Sequence, residues 1–519
     1  MERAIRYQIL AFVLLTAPLA TAQSNPRSEP GALRKQNVSG YFDSIRNQPL
    51  LLLAFLREMP KGGDLHNHLS GSLYAENLID FAVADGLCVD RATLFALSPP
   101  CDALCDKSAT KPLAGCGYGD QDLYNAIIDA WSMRNWERGR ESGHDHFFAS
   151  FSKFGRATTN HTGDAFAQAA RQAAADHLQY LELIHSAEGS ESRELGAKLG
   201  WSDDFAEMRQ RLLSGGLHEI VSSARKKLDT NEGKMKDDLR CGTPQAEPAC
   251  AITVRFLYQV LRGLPPEQVF AQMVTGFELA SRDSRFVGLN LVMPEDSYVP
   301  MRDFDLHMRM LDFLHGIYPK VHITLHAGEL AMGLVPPDGL TFHIRESVER
   351  GHAERIGHGV DVMNEHDPLQ LLGEMAQRNI LVEICLTSND VILGVGGKEH
   401  PFPIYRRYKV PMALATDDEG VSRSDLTHEY LRAVQSYELS YSDLKQMARQ
   451  SLEHSFLPGS SLWKDMRETS PVPACESGIH GAPTDDCQSF LAANERARMQ
   501  WKLEQEFTTF EKRFESAHD

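Results

Sequence analysis

Four short stretches of the chain carry residues that bind metal ions or move protons: His66-Asn67-His68, His326-Ala327-Gly328-Glu329, Gly357-His358-Gly359 and Thr416-Asp417-Asp418-Glu419. In an extended segment alternate side chains share a face, so His66 and His68 can close on one ion. Each stretch alone has a plain structural use, since histidine pairs are common and Asp417-Asp418 would cap a helix or shape a turn. Their conjunction is what points to chemistry. Three imidazoles and a carboxylate can surround one Zn²⁺ and leave a position for water, as a catalytic zinc site requires. Another divalent ion would also suit such ligands. A further histidine and a glutamate are then left over for proton transfer, which completes a hydrolytic set.

These residues can act together only if their backbone segments converge. Each stretch follows an apolar run of strand character, and such runs occupy 64–68, 180–184, 253–259, 286–292, 321–326, 355–358, 381–386 and 411–415. Most are separated by amphipathic segments, among them 267–281, 342–349, 369–378 and 425–437. That alternation is the βα rhythm of a parallel sheet, and eight units predict an α/β protein built as a (β/α)₈ barrel of the TIM type. All the carboxyl ends of its strands then meet at one face, where barrel active sites are built.

The predicted barrel occupies 59–457. Before it, 23–58 form a helical segment, with helical period over 41–59 and Pro60 as the stop. After its first strand comes an insertion at about 86–177, holding a cysteine cluster and then a mostly helical stretch whose FFASFSKF sequence at 147–154 is a candidate lid. Residues 458–519 read as a C-terminal extension with a disulfide loop and a charged helix at 491–516. Residues 1–22 carry Arg3, Arg6, an apolar run and Ala20-Thr21-Ala22. This is the pattern of a cleaved secretory signal, and its apolar run is shorter than the roughly 20 residues of a spanning helix. An exported protein, secreted or periplasmic, with no stable membrane span is therefore expected.

Export gives the nine cysteines a use, because disulfides persist in oxidising compartments. Cys241 with Cys250, and Cys475 with Cys487, are expected to pair. Cys88, Cys101, Cys105 and Cys116 allow three connectivities, and Cys101-x₃-Cys105 has the alternative reading of a zinc knuckle. Cys385 lies in an apolar strand as a buried free thiol.

Composition narrows the function classes. With 53 Lys plus Arg against 71 Asp plus Glu, the formal charge is −18, which argues against a protein that grips nucleic acid backbone. The contents of 42% hydrophobic and 24% charged residues exclude disordered and fibrous classes. The zinc deaminase pattern of His-x-Glu followed by Pro-Cys-x₂-Cys is not met: His352-Ala353-Glu354 follows rather than precedes Pro100-Cys101, and the cysteine spacing is one residue too long.

The motifs MPKGGDLHNHLSGS at 59–72, HAGE at 326–329, RIGHG at 355–359, LTSN at 386–389 and TDD at 416–418 resemble, in kind and order, the adenosine/AMP deaminase family of metal-dependent hydrolases. The resemblance spans Pro60 to about residue 457. The signal segment, the cysteine-bearing insertion and LEHSFLPG at 452–459 resemble the secreted branch related to adenosine deaminase growth factors. The resemblance implies that His66, His68, His326 and Asp417 hold one Zn²⁺ per chain. It makes Glu329 the proton donor to purine N1, His358 the base and electrostatic partner of the attacking water, and Asp418 the group that meets purine N7. The implied reaction is hydrolysis of adenosine and 2′-deoxyadenosine to the inosine forms and ammonia, with a small purine nucleoside as the substrate.

Two positions depart from the family pattern. Ser70 stands where relatives carry an acidic or amide residue that contacts the 5′ end of the sugar. Met293 stands near a family glycine whose backbone N–H meets the purine, so both are assigned to substrate binding. These departures leave three alternatives: a 5′-modified adenosine, adenine or another ring amine. An inactive exported binding protein is the reading from a different class, and it is disfavoured by the presence of the whole catalytic set.

Overall fold

The computed structural model describes residues 37–515 except Leu104, Ser477, Gly478 and His480, so the expected signal segment lies outside the described residues. Eight parallel strands follow one another around a single sheet: β1 Gly62–His68, β2 Leu178–His185, β3 Thr253–Leu261, β4 Phe286–Val292, β5 His322–Ala327, β6 Arg355–His358, β7 Leu381–Ile384 and β8 Met412–Leu414. The sheet closes just beyond β8. The His68 N–H donates to the Asp417 carbonyl at 3.0 Å, and the Asp417 N–H donates to the His66 carbonyl at 2.8 Å. The seam of the barrel and the meeting of predicted ligands are thus one contact.

The amphipathic segments become the outer helices, including Pro266–Arg282, His343–Glu349, Pro368–Gln377 and Leu426–Tyr437. Proline at the first turn of two of them costs no hydrogen bond, since those N–H groups have no intrahelical partner. The Asp425 side chain caps the last by accepting from the His428 N–H at 2.6 Å.

The barrel interior is partly ionic. Arg355 donates to Glu182 and to Glu383, each at 2.6 Å, with all three side chains at most 1% exposed. The guanidinium also lies 3.9 Å from the ring centre of Phe456, so both its edge and its face are used.

The expected single helix over 41–59 is two, Val38–Ile45 and Pro49–Glu58. Pro49 lacks an N–H and clashes with the preceding turn, so it starts a helix instead of continuing one. Phe55 of the second helix meets Phe510 and Phe514 of the last one, Glu495–Glu515, with ring centres 5.0 and 5.3 Å apart. The C-terminal residues therefore dock on the barrel exterior beside the N-terminal helices. Among the described residues no helix is long and apolar enough to cross a membrane.

Disulfides join Cys241 to Cys250 and Cys475 to Cys487 as expected, and the cysteine cluster resolves as Cys88–Cys101 and Cys105–Cys116. Cys101 and Cys105 belong to different bridges, which removes the zinc-knuckle reading. Cys385 is free and buried.

Candidate active site

At the carboxyl face of the barrel, His66, His68, His326 and Asp417 come together with their ligand atoms within 4.8 Å of one another. The Nε2 atom of His326 is 3.0 Å from that of His66 and 3.1 Å from that of His68, and Asp417 Oδ1 is 3.6 and 3.3 Å from the same two histidines. The other side of each ring shows what lies between them. His66 Nδ1 donates to Glu383 at 2.6 Å, and His326 Nδ1 donates to Asn290 Oδ1 at 2.9 Å. Their protons are therefore on Nδ1, and bare Nε2 lone pairs face one another. Such a cluster is favourable only around a cation, and orienting a metal-ligating histidine through its second nitrogen is the usual device of metal sites. The donor set fits a Zn²⁺-type ion. Burial, with the neighbouring imidazoles, pushes the pKa of His326 well down, which keeps it neutral for ligation. Burial raises Asp417, but its histidine neighbours prevail and hold it below the usual carboxylate range.

Two glycines of the motifs make room for this packing. A β-carbon on Gly357 would lie 2.6 Å from His66 Cε1, and one on Gly71 would overlap the Asp418 carboxylate. Any side chain at either position displaces a site residue. Backbone strain gathers here as well: Met293, His358 and Asp417 have φ of 87°, 69° and 60°, in the left-handed region that non-glycine residues seldom adopt. The φ of Met293 is one that glycine adopts without strain.

The remaining groups surround the same point. Glu329 follows β5 and is buried. Burial first, and then the charges of Asp417 and Glu295, push its pKa well up. A bound cation would offset part of the Asp417 contribution, but burial alone acts in the direction a proton donor needs. Glu295 holds this loop by accepting from the N–H groups of Gly328 at 3.3 Å and Glu329 at 2.8 Å. Asp418 is also raised well above its usual value, by burial and by the adjacent Asp417.

His358 is fully buried, and burial lowers its pKa to about 3. A directional chain fixes its neutral form. The Phe402 N–H donates to His400 Nδ1 at 3.1 Å, so the His400 proton sits on Nε2 and is donated to Asn389 Oδ1 at 3.1 Å. That leaves the Asn389 amide to donate to His358 Nδ1 at 3.0 Å. The His358 proton is therefore on Nε2, an atom with no protein partner.

A cavity of about 410 Å³ opens over the cluster, and His68, His326, Glu329, Asp417, Asp418, Ser70 and Met293 all line it. Its remaining walls are largely apolar and include Phe147, Phe148 and Phe151 from the candidate lid segment, which folds as the helix Gly143–Phe154. All nine predicted site residues therefore lie in one place, His358 beneath the cavity with its ring 5.0 and 5.1 Å from those of His66 and His326.

Sequence reasoning missed the supports. Glu383 orients His66, Asn290 orients His326, Ser388 donates to Asp417 Oδ2 at 2.6 Å, and Asn389 orients His358. Arg262 is buried and donates to the carbonyls of Met293 and His326 at 3.0–3.1 Å. A carboxylate inside the apolar run ILVEICL was a visible signal for Glu383, since a charge buried in a strand needs a partner.

Residues 218–464 match the family model of adenosine deaminase. That span holds His326, Glu329, His358, Asp417 and Asp418, whereas His66 and His68 precede it. An adenosine deaminase of Mycobacterium sp. (strain KMS) is 28% identical over 236 residues, 43% of this chain and 60% of that protein. An adenosine deaminase of Clostridium perfringens is 31% identical over 135 residues, 26% of this chain and 37% of that protein. The chain thus spans about 60% of the length of the mycobacterial relatives it matches. Among solved structures, the apo N6-methyl-AMP deaminase from Arabidopsis thaliana superposes with a TM-score of 0.51 at 21% identity, covering 80% of this chain and 96% of that one. An amidohydrolase from Burkholderia ambifaria with bound Zn gives 0.52 at 15% identity, covering 88% and 94%. At these identities the likeness is one of fold.

Proposed function

We propose that the chain, whose residues 218–464 match the adenosine deaminase family model, is an exported, zinc-dependent member of the adenosine/AMP deaminase family hydrolysing the 6-amino group of adenosine and 2′-deoxyadenosine. The observation that carries this reading is the meeting, in one buried cavity, of a His₃Asp cluster whose lone pairs require a cation with a buried carboxyl group, Glu329, whose pKa burial pushes up. His66, His68, His326 and Asp417 would hold the ion. A Zn²⁺ bound there would supply a nucleophile at neutral pH, since it lowers the pKa of water from about 15.7 to near 7.

The chain's own groups do the rest. Glu329 gives its proton to purine N1, which makes C6 electrophilic by removing the charge that would build on the ring. One proton of the attacking water restores Glu329, and the other leaves with the amine as ammonia. Burial and the adjacent Asp417 push the pKa of Asp418 up as well, which suits it to donate to N7. His358 is read here as an N–H donor from Nε2 that orients the water and steadies growing negative charge, because its hydrogen-bond chain leaves it no lone pair on that atom. This replaces the role of base that the family resemblance implies for it. Among the residues lining the cavity there is no lysine or arginine, which favours a nucleoside over a nucleotide. The signal-like N-terminal sequence and four disulfides support export.

Purified protein with one equivalent of zinc is expected to release ammonia from adenosine. Chelation is expected to lower the rate by more than about 100-fold, and Zn²⁺ to restore it. Full activity in metal-free protein, verified by elemental analysis, would rule this mechanism out. Metal-loaded, folded protein that leaves adenosine and deoxyadenosine untouched would remove them as substrates.

A further inference from the structure

The cavity over the cluster does not end at its own walls. A second cavity of about 250 Å³ adjoins it, and the two share Ser70, Gln259 and Leu261. At that junction the side chains of Ser70 and Gln259 have no hydrogen-bond partner among the described residues. Beyond it the second cavity is lined by Leu73, Ala165 and Ile184, and also by Thr158, Thr162, His185, Ser186 and Arg193. A residue longer than serine at position 70 would stand in the opening between them.

The chemistry of the site orients any adenine ring. Its C6, N1 and N7 must face the His/Asp cluster, Glu329 and Asp418, so N9 and the sugar point away from the cluster toward the rest of the cavity. The exocyclic atom of the sugar that projects furthest from the base is the 5′ carbon. We propose, building on the deaminase reading above, that the preferred substrates are adenosines bearing an uncharged apolar substituent on the 5′ carbon, such as an alkylthio group, and that this substituent passes Ser70 into the second cavity. The geometry supports it in two ways. The main cavity, with Phe147, Phe151, Leu261 and Met293 in its lining, offers apolar contact and no cation for a phosphate, while Arg193 of the second cavity donates to the Gly189 carbonyl at 3.4 Å. The adjoining cavity gives room for several heavy atoms that an unsubstituted 5′-hydroxyl leaves unfilled.

The test compares kcat/KM for adenosine, 5′-methylthioadenosine, S-adenosylhomocysteine and AMP in the zinc-loaded full chain, in Ser70→Asp, in Thr162→Phe and in Arg193→Ala. The expected result is a preference for 5′-methylthioadenosine over adenosine of at least about tenfold, the size an extra buried alkyl contact confers. Ser70→Asp, which narrows the opening, is expected to reverse the preference. Thr162→Phe, which fills the second cavity from a position remote from the cluster, is expected to lower the ratio without adding a charge. Equal or better turnover of adenosine by the wild type overturns the proposal and leaves the deaminase reading standing. A preference for S-adenosylhomocysteine that disappears in Arg193→Ala overturns the apolar class in favour of an anionic one. Preference for AMP overturns it too, and silence on all four compounds removes the reading beneath it.

Discussion

Glu329→Gln is expected to lower kcat for adenosine by about 10²–10⁴-fold, the contribution of a positioned general acid. The amide keeps the size of the side chain and the loop geometry set by Glu295, but it has no acidic proton to give N1. Zinc content and thermal midpoint are expected to stay near wild type, because Glu329 is not one of the four clustered ligand residues. Steady-state kinetics with parallel metal analysis checks this. A variant that retains more than a tenth of wild-type kcat would show that N1 is protonated by another group. A variant that loses its metal would show that Glu329 belongs to the ligand set.

The second large effect concerns a residue that never meets substrate. Glu383 accepts from His66 Nδ1, Thr324 and Arg355 in a fully buried position, and its pKa is held at about 2: burial opposes the charge, but Arg355 and His66 outweigh it. Glu383→Ala removes a cation's partner inside the barrel and also the group that keeps His66 in the right tautomer. Breaking a buried pair costs about 3–5 kcal/mol, and the lower end is expected because Arg355 retains Glu182. Loss of the group that orients a metal ligand typically weakens binding by about 10–100-fold. Glu383→Gln separates the two effects: it preserves shape and some hydrogen bonding, so the loss of metal affinity should exceed the loss of stability. Denaturant titration of the zinc-loaded and metal-free forms, with competition for zinc by a chelator of known affinity, measures both. Unchanged zinc affinity in both variants would mean that His66 needs no orienting partner.

The reach of the sequence reading was uneven, for physical reasons. Strand ends were legible because period-two alternation puts His66 and His68 on one face, and because all eight apolar runs are short and bounded by polar turns. Every predicted site residue lies at the carboxyl face because a parallel barrel leaves no other place for a strand's end to go. The supports were harder to see. Ser388 and Asn389 stand in the LTSN motif, where the sequence shows no partner for either, and Arg355 looks like a charge bordering a strand until β2 and β7 bring Glu182 and Glu383 to it. Their roles come from contacts across 28 to 173 residues of chain, which no local pattern encodes. The cysteine cluster was ambiguous for the same reason, since its pairing depends on how the inserted loop folds back on itself.

The closure of the barrel carries one more consequence. The two hydrogen bonds that seal β1 against the chain beyond β8 are made by the backbones of His66, His68 and Asp417, three residues whose side chains would grip the ion. An ion binding only the closed form adds to its stability in proportion to the logarithm of its concentration over its dissociation constant. Opening of the seam is then the local fluctuation most strongly suppressed by occupancy. The amide protons of His68 and Asp417 should accordingly exchange with solvent deuterium faster in metal-free protein than in zinc-loaded protein, while amides in the middle of β4, far from the seam, keep similar rates in both. The ion would act as a rivet as well as a reagent, and gradual metal loss would show first as a loosening at one join of the barrel.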